Sequence, residues 1–358
     1  MNVFSNMKSN WNAKISGYQA LDSKDKKTFW KEALINNAMY ILILVAIIYT
    51  QAKNSYFLKP DSIVNIISLS AANIPIACGI AGCIVLTGTD ISAGRVVGLT
   101  ACISASLLTT TFKVFPNMTS APSIALVILI VLVVGAVVGL VNGFSVAKFK
   151  LHPFIVTLST QLIVYGCILM YLKNGTNNGQ TLSGLTDGYR NLVAGTLFKI
   201  GDTAVPMYVL YAVILTAIMW VIWNKTTFGK NMFAVGSNEE AANVSGVNVT
   251  RTIIMVFVLA GIMYAITGFI DGARIASANA NTGLNYECDA IAACVIGGVS
   301  FVGGIGKISG IVIGVLLLQI IFAGLNFLSV DANMLYIIKG LIILIACAID
   351  MRKYLVRK

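Results

Sequence analysis

A short polar interruption, CIVLTGTDISAGRVVGL at residues 83–99, divides a long apolar part of the chain. It carries an acid and a base, Asp90 and Arg95, and glycines lie around them at Gly88 and Gly94. Irregular backbone and charge at membrane depth are tolerated only where protein or a water-filled cavity receives them. An ionisable residue inside a membrane is therefore a functional hypothesis by default. The stretch predicts a broken helix near a pathway or a subunit interface.

Two roles for the polar residues of this stretch remain open. In the structural interpretation, Asp90 or Ser92 caps the helix that follows, and Arg95 neutralises Asp90 or reaches the membrane interface. In the functional interpretation, the same residues border a translocation pathway, and Gly88 and Gly94 let helix backbones approach closely. The two interpretations are compatible, and both make the break a candidate site.

The composition places the chain in a membrane. Hydrophobic residues make up 57% of the chain and charged residues 11%, and the mean hydropathy is +0.85. A soluble globular protein carries about 25% charged residues, enough to cover a surface in water. Several apolar runs here reach about 20 residues, the length of helix that spans a bilayer core. We therefore expect an all-α, polytopic membrane protein.

The apolar runs predict about ten transmembrane helices, preceded by a polar arm. The spans lie near 33–52, 63–86, 92–112, 122–143, 154–173, 206–224, 252–272, 289–304, 308–328 and 333–350. Ten spans put both termini on one side. Sixteen Lys and Arg residues fall on that side and seven on the other, and Lys and Arg mark cytoplasmic loops. The predicted organisation is a cytoplasmic arm at 1–32, a transmembrane domain at 33–350 and a cytoplasmic tail at 351–358.

Several chemistries are excluded by residues that the chain lacks. His152 is the only histidine and the seven cysteines show no CxxC spacing, so neither a metal site nor a disulfide framework is predicted. The nearest approach to a phosphate-binding loop, GGIGKISG at 303–310, has Ile308 where Ser or Thr is required. The basic residues lie at span ends, so the net charge of +11 reflects topology and no nucleic-acid partner is expected. We expect no catalytic residues and no cofactor bound by this chain.

An internal repeat links the first glycine-rich break to a second one. Residues 77–98 align with 293–314 at an offset of 216, and eight positions are identical, among them Gly88 with Gly304. Both copies read as an apolar helix, a break and a second helix that starts with small residues. Matching interrupted helices in two parts of a transporter point to its pathway, although chance similarity among common residues is the alternative. Two pseudo-repeated halves of about five spans each are the natural division. The copies, however, fall on the second and third spans and on the eighth and ninth, which is a shift of six spans and not five.

The loop after the sixth span, KTTFGKNMFAVGSNEEAANVSGVNVTRT at 225–252, predicts a short helix. Asn238 is a suitable N-cap, Glu239 and Glu240 suit a first helical turn, and Gly246 would end the helix. A short helix with small residues on one face suits docking into a partner's groove. From these residues alone, an ordinary surface helix is an equal alternative.

Four stretches resemble the membrane permease subunits of sugar-importing ABC transporters. They are GTDISAGRVVGL, NGFSVAKFKLHPFIVTLST, WNKTTFGKNMFAVGSNEEAANVSGVNV and CDAIAACVIGGVSFVGGIGKISG, and the resemblance runs in order over residues 35–350. The family includes permeases for ribose, xylose, arabinose and galactose, with more distant relatives for branched-chain amino acids or nucleosides. GTDISAGR, FGKNMFAVGSNEEAANVSGVNV and YECDAIAACVIGGVSF are most similar to the permeases for galactose and methyl galactosides. His152, in FKLHPF, departs from the small or polar residue expected there.

The resemblance implies a complex in the cytoplasmic (inner) membrane of a bacterium, surrounded by membrane lipid. A second copy of this chain would complete the pathway, and an extracytoplasmic sugar-binding protein would deliver a monosaccharide, either galactose, glucose or a methyl galactoside. A cytoplasmic ATPase with two fused nucleotide-binding domains would hold ATP and Mg²⁺. The loop at 225–251 would contain the coupling helix that docks on this ATPase. Its candidate contact residues are Gly236, Asn238, Glu239, Ala241, Ala242, Ser245 and Gly246.

A pathway for a neutral sugar needs weak, scattered hydrogen-bonding groups, so that binding permits release. Asn73 and Asn326 lie in predicted spans, where an amide needs a partner, and a structural hydrogen bond is the alternative for each. The outer loop SANANTGLNYECDA supplies candidates for the periplasmic mouth or for docking of the binding protein. These candidates are Asn279, Asn281, Asn285 and Tyr286. The competing functions are import of another substrate of the same family, ion-coupled secondary transport that uses Asp90, and a channel, for which the sequence holds no filter motif.

Overall fold

The computed structural model describes residues 38–355, so the predicted arm at 1–32 and the last residues of the predicted tail lie outside it. The described residues form thirteen helices and one two-stranded sheet. In chain order these are α1 (Ala38–Lys53), α2 (Pro60–Val85), α3 (Ala93–Leu107), α4 (Ile124–Phe149), α5 (Pro153–Lys173), α6 (Asp187–Ala194), β1 (Thr196–Ile200), β2 (Thr203–Pro206), α7 (Met207–Lys225), α8 (Thr227–Ser237), α9 (Glu239–Val244), α10 (Val249–Ile275), α11 (Tyr286–Ile296), α12 (Ile308–Phe327) and α13 (Ala332–Leu355).

Each predicted span overlaps a helix of the described chain. These helices are α1 to α5, α7 and α10 to α13. Six of them (α2, α4, α5, α7, α10 and α12) are long and apolar enough to cross a membrane by length and composition. The structure is thus mainly helical, as predicted, with six long apolar helices and shorter ones beside them.

The predicted span at 289–304 is wrong in its second half. α11 has 11 residues, and at about 1.5 Å per residue it is too short for a bilayer core of about 30 Å. Gly298, Gly303 and Gly304 have φ angles of 83°, 88° and 65°, a left-handed backbone that glycine adopts without steric cost. The apolar residues at 297–307 therefore form an irregular connection, hereafter the second break.

The two sequence copies form matching units of helix, break and helix. The first unit is α2, the first break at 86–92 and α3; the second is α11, the second break and α12. α11 contacts α2, since the Cys294 thiol donates to the carbonyl oxygen of Ala77 at 3.2 Å. In the second break, the N–H of Gly304 donates to the carbonyl oxygen of Val85, at the end of α2, at 2.9 Å. The two breaks consequently lie side by side. Whether the whole chain divides into two repeated halves stays a prediction.

The core lies around α2 and α10, which are buried along most of their length. α10 packs against α2, α3 and α4. Where it crosses α4, a Cβ on Gly135 would overlap the carbonyl oxygen of Gly261, and a Cβ on Gly261 would overlap that of Gly135. Glycines allow this approach because no side chain separates the backbones. This close contact between α4 and α10 holds α10 at the centre of the molecule, next to α2 and α3 of the first unit.

The segment between α5 and α7 adds structure that the sequence does not predict. It contains α6 and an antiparallel hairpin of β1 and β2, so the all-α description needs this addition. The buried Tyr189 of α6 donates a 2.5 Å hydrogen bond to the carbonyl oxygen of Phe269 in α10. Burial raises the pKa of Tyr189, so the phenol stays protonated and remains a donor. This bond anchors the segment to the core.

Candidate functional site

A buried hydrogen-bonded network surrounds Asp90 in the first break. One carboxylate oxygen of Asp90 accepts from the backbone N–H of Ser92 at 2.9 Å and from its hydroxyl at 2.5 Å. The Ser92 hydroxyl accepts from the Asn142 amide of α4 at 3.0 Å, and the Asn142 amide oxygen accepts from Thr160 of α5 at 2.6 Å. All four residues are buried. Because a fully bonded buried network rigidifies its surroundings, it fixes the start of α3 against α4 and α5.

The network separates the roles of the two capping candidates. Asp90 accepts the N–H of Ser92, two residues further on, which is the geometry of an Asx turn just before α3. Ser92 occupies the N-cap position of α3, but its side chain accepts no helix N–H. Its hydroxyl instead links Asp90 to the neighbouring helices. Asp90 therefore orders the turn before α3, but neither side chain caps an N–H of the helix itself. Gly88 lies two residues before Asp90, and a Cβ added to it would contact the ring of Pro153.

Arg95 is not the partner of Asp90, since no ion pair joins them within the described residues. The Arg95 guanidinium donates to the carbonyl oxygen of Ala280 at 3.0 Å and lies 4.2 Å from the centre of the Tyr165 ring. Such a cation–π contact adds attraction of electrostatic origin. Tyr165 lies past the midpoint of α5, so Arg95 is held within the bundle and not at the membrane interface.

The segment at 276–285 folds back along α3. Three close contacts descend α3 about one helical turn at a time. In the first contact, Cys102 lies against the carbonyl oxygen of Asn279. Gly98 and Gly94 lie in the same way against the carbonyl oxygens of Thr282 and Gly283, respectively. The glycines permit the approach, because a Cβ on Gly98 or Gly94 would overlap the facing carbonyl oxygen. The segment that supplies the predicted mouth residues therefore lines α3 within the bundle.

Local contacts hold the four predicted mouth residues. The Asn279 amide oxygen accepts the N–H of Asn281 at 2.8 Å. Asn281 is exposed, whereas Asn285, with a φ of 64°, is half-buried directly before α11. Tyr286 opens α11 beside Arg274 of α10. A role in docking of a binding protein stays a prediction for all four.

The two predicted span amides lie apart from the breaks. The Asn73 amide donates to the carbonyl oxygen of Leu69 at 2.9 Å, within α2 itself, as the structural alternative expects. Asn326 is exposed in the last turn of α12. Neither residue is brought to the network around Asp90.

A buried carboxylate that the sequence does not single out lies beside the first break. Glu287, in the first turn of α11, is 4% exposed. One of its carboxylate oxygens lies so close to α3 that a Cβ on Gly94 would overlap it. The available sequence signal is an acid within the small and apolar stretch YECDAIAAC.

The two breaks meet the predicted cytoplasmic loop at Gly236. This glycine, in the last turn of α8, is buried, and a Cβ on it would overlap the carbonyl oxygen of Val85 and lie 2.9 Å from the backbone nitrogen of Gly304. The same two atoms bond to each other at 2.9 Å. Gly236 was a candidate for contact with a partner, but its contacts here are with both breaks of its own chain. Gly304 takes part in the same junction.

The predicted short loop helix is confirmed as α9. The Asn238 side chain accepts the N–H of Ala241 at 2.9 Å, as an N-cap does. Gly246, with a φ of 84°, follows its end, and the N–H of Val247 donates to the carbonyl oxygen of Ala242 at 3.0 Å. The helix boundaries thus follow from residues that the sequence shows directly.

The loop also contains a helix, α8, that the sequence interpretation missed. Its N-cap is Thr226, whose hydroxyl accepts the N–H of Gly229 at 3.2 Å. A Ser or Thr before an apolar run is a recognisable start signal, so this helix could have been predicted. α8 connects α7 to the Gly236 junction and then to α9.

α9 presents an exposed polar face with an apolar residue at its end. Val244 is 91% exposed, and Glu240, like Ala241 and Ser245, is also exposed. Ala242 is buried against the chain itself, so it supports α9 from within. Glu239 forms a 2.5 Å ion pair with Lys150, which follows α4. A polar cleft of about 480 Å³ lies between α9, Lys150 and the start of α10.

Comparison with known proteins identifies the class of this molecule. The profile of a permease family, described as the permease component of a branched-chain amino acid transport system, matches residues 62–347. The chain belongs to this family. It is therefore a multi-pass membrane permease component, as predicted, and not an enzyme. No solved structure matches the chain.

Curated relatives match nearly the whole chain. The galactose/methyl galactoside import permease of Escherichia coli (strain K12) is 44% identical over 342 residues, which cover 95% of this chain and 99% of the relative. The protein of that name from Haemophilus influenzae is 42% identical over 330 residues, covering 91% and 97%. The ribose import permease of Bacillus subtilis (strain 168) is 33% identical over 335 residues, covering 94% and 98%.

Proposed function

We propose that this permease is the membrane subunit of an ATP-driven ABC importer for galactose, glucose or methyl galactosides. The observation that carries the proposal is the 44% identity, over 95% of the chain, to a galactose/methyl galactoside import permease. The ribose import permease from Bacillus subtilis is less similar, at 33%. Identity therefore favours the galactose group, and ribose, xylose or a nucleoside is the alternative substrate.

The proposed complex contains two copies of this chain, a cytoplasmic ATPase with two fused nucleotide-binding domains and an extracytoplasmic sugar-binding protein. ATP and Mg²⁺ belong to the ATPase, and we propose no cofactor for this chain. The excess of Lys and Arg in alternate loops supports cytoplasmic termini in the inner membrane of a bacterium.

The geometry of the loop supports a role in coupling. α9 is exposed, it is capped at both ends, and it is joined through α8 to a junction that contacts both breaks. A displacement of α9 by a partner would therefore reach both helix–break–helix units through one short covalent path. We propose that this path converts the motion of the ATPase into opening and closing of the pathway.

Binding to the candidate ATPase tests the coupling surface. Glu240→Arg and Val244→Arg change exposed side chains of α9 without touching its cap or the Gly236 junction. We expect each to weaken capture of the ATPase by the detergent-solubilised permease at least about tenfold, since losing an interface anchor costs about 1.4 kcal/mol or more. Affinity is measured by titrating the ATPase onto immobilised permease.

The matched control is Asp202→Arg, at another exposed acid, in the turn of the β1–β2 hairpin. It makes the same change of charge as Glu240→Arg and should leave affinity unchanged. Equal affinity of the α9 variants and the wild type would remove α9 as the coupling surface. Failure of the wild type to bind any ATPase would count against the importer itself.

A further inference from the structure

The fold does not explain why the carboxyl group of Glu287 is buried. Its side chain is 4% exposed, and it forms none of the three ion pairs of the described residues. Burying a carboxylate is costly unless it is paired or has a function that compensates. Asp289, two residues further along α11, is paired in the usual way. Its carboxylate oxygen lies 2.8 Å from the Lys339 ammonium nitrogen of α13.

Glu287 faces the seam between α11 and α3. Its carboxylate occupies the space that a side chain on Gly94 would need, and Gly283 closes the same seam. Arg95, the next residue of α3, acts electrostatically on Glu287 but is not bonded to it. An acid of α11 and a base of α3 therefore lie near the same seam and are not bonded to each other.

The Arg95 side of α3 is partly exposed, whereas the rest of that helix is buried. Partly exposed residues recur at every fourth position, and their neighbours are buried. They are Ile91, Arg95, Leu99, Ile103 and Leu107. An arginine that faces lipid well inside a membrane is strongly disfavoured. Arg95 therefore faces protein or water, and the protein groups against it are the Ala280 carbonyl and the Tyr165 ring.

Arg95 and Glu287 also keep unused hydrogen-bonding capacity. A guanidinium carries five N–H donors, and the described residues take a single bond from Arg95, to the Ala280 carbonyl. A carboxyl group has two oxygens that can accept hydrogen bonds, and Glu287 forms none of the ion pairs of the described residues. Donors on one side of the seam and acceptors on the other are complementary to a ligand that carries several hydroxyl groups.

We propose that Arg95 and Glu287 form the contact point for the sugar within the pathway. When the seam between α3 and α11 opens, the carboxylate accepts from sugar hydroxyls and the guanidinium donates to sugar oxygens. When the seam closes on Gly94 and Gly283, these bonds are lost and the sugar leaves. The contact deepens the proposed import of a neutral monosaccharide and rests on that function.

Uptake by the complete importer tests this contact. The permease, its ATPase and its binding protein are reconstituted in proteoliposomes, with radiolabelled galactose as the probe. Glu287→Gln keeps the size of the side chain and removes the charge. We expect uptake per assembled complex to fall at least about tenfold, as loss of a hydrogen bond to a charged group predicts, while ATP hydrolysis stimulated by the loaded binding protein continues. Arg95→Gln should lower uptake to a similar extent, again with continued ATP hydrolysis.

The matched control is Asp202→Asn, which makes the same kind of change at an exposed acid that forms none of the ion pairs of the described residues. Its uptake per assembled complex should stay close to that of the wild type. Glu287→Asp, which retains the charge, should recover part of the uptake lost in Glu287→Gln and so separates a chemical role from a folding defect.

Two results would overturn the contact. One is uptake by Glu287→Gln equal to that of the wild type, and the other is a loss of uptake in Glu287→Asp equal to that in Glu287→Gln. A wild-type complex that imports ribose and not galactose would refute the proposed sugar alone, and the same variants would then be compared with labelled ribose. A wild-type complex that imports no sugar would refute the proposed function.

Discussion

Replacing Gly236 with alanine is expected to remove most sugar uptake by the importer. The backbone at this position has an ordinary helical conformation, so alanine causes no strain in φ. The effect is steric, because the added Cβ would overlap the carbonyl oxygen of Val85 and lie 2.9 Å from the nitrogen of Gly304. Both are backbone atoms and cannot rotate away. To admit the methyl group, the end of α8 must separate from both breaks, or the bond between Val85 and Gly304 must open.

Overpacking of this kind costs about 1–3 kcal/mol. It therefore shifts at least about fivefold any conformational equilibrium that requires Gly236 to stay packed against Val85 and Gly304. We expect uptake of galactose in proteoliposomes to fall by that factor or more, while binding of the ATPase to α9 persists. Gly166→Ala is the control, since a Cβ there meets no atom within 4 Å. Normal uptake by Gly236→Ala would show that the junction does not transmit the motion of the loop.

Replacing Asp90 with alanine is expected to be damaging, and replacing it with asparagine is expected to be tolerated. One Asp90 oxygen accepts both the N–H and the hydroxyl of Ser92, and asparagine retains an oxygen in that place. Alanine leaves the buried N–H of Ser92 unsatisfied, at a cost of about 1–3 kcal/mol. We expect Asp90→Ala to lower the melting temperature and the uptake of the purified complex, and Asp90→Asn to stay near the wild type in both.

This pair of variants also distinguishes an ATP-driven importer from an ion-coupled transporter. Ion coupling through Asp90 would require a carboxylate that binds and releases a cation, which asparagine cannot do. A well-assembled Asp90→Asn complex without uptake would therefore favour the ion-coupled alternative. Retained uptake would leave Asp90 as the residue that shapes the first break.

The sequence predicts the helices well where a single physical rule sets them. Runs of about 20 apolar residues match the thickness of a bilayer, and each predicted span overlaps a helix. Six of these helices in the described chain are long and apolar enough to cross a membrane. The start of α9 was predictable because an Asn side chain can accept the N–H groups of the turn that follows it. α8 carries a comparable signal at Thr226 and could have been predicted by the same rule.

The remaining features depend on contacts between distant parts of the chain. Glu287 is buried because the segment at 276–285 folds back onto α3, and no local pattern records that Gly94 leaves room for its carboxylate. The separation of Arg95 from Asp90 likewise depends on Ala280 and Tyr165. α11 is short because glycines in the second break adopt positive φ, although hydropathy alone extends the span to residue 304.

The most direct measurement is galactose uptake into proteoliposomes that contain the permease and its ATPase, with binding protein outside and ATP inside. The proposed function predicts uptake that requires all three proteins and stops when ATP is replaced by a non-hydrolysable analogue. It also predicts no uptake by the permease alone under a proton or sodium gradient. Uptake by the permease alone under such a gradient would contradict the account and identify the chain as a secondary transporter.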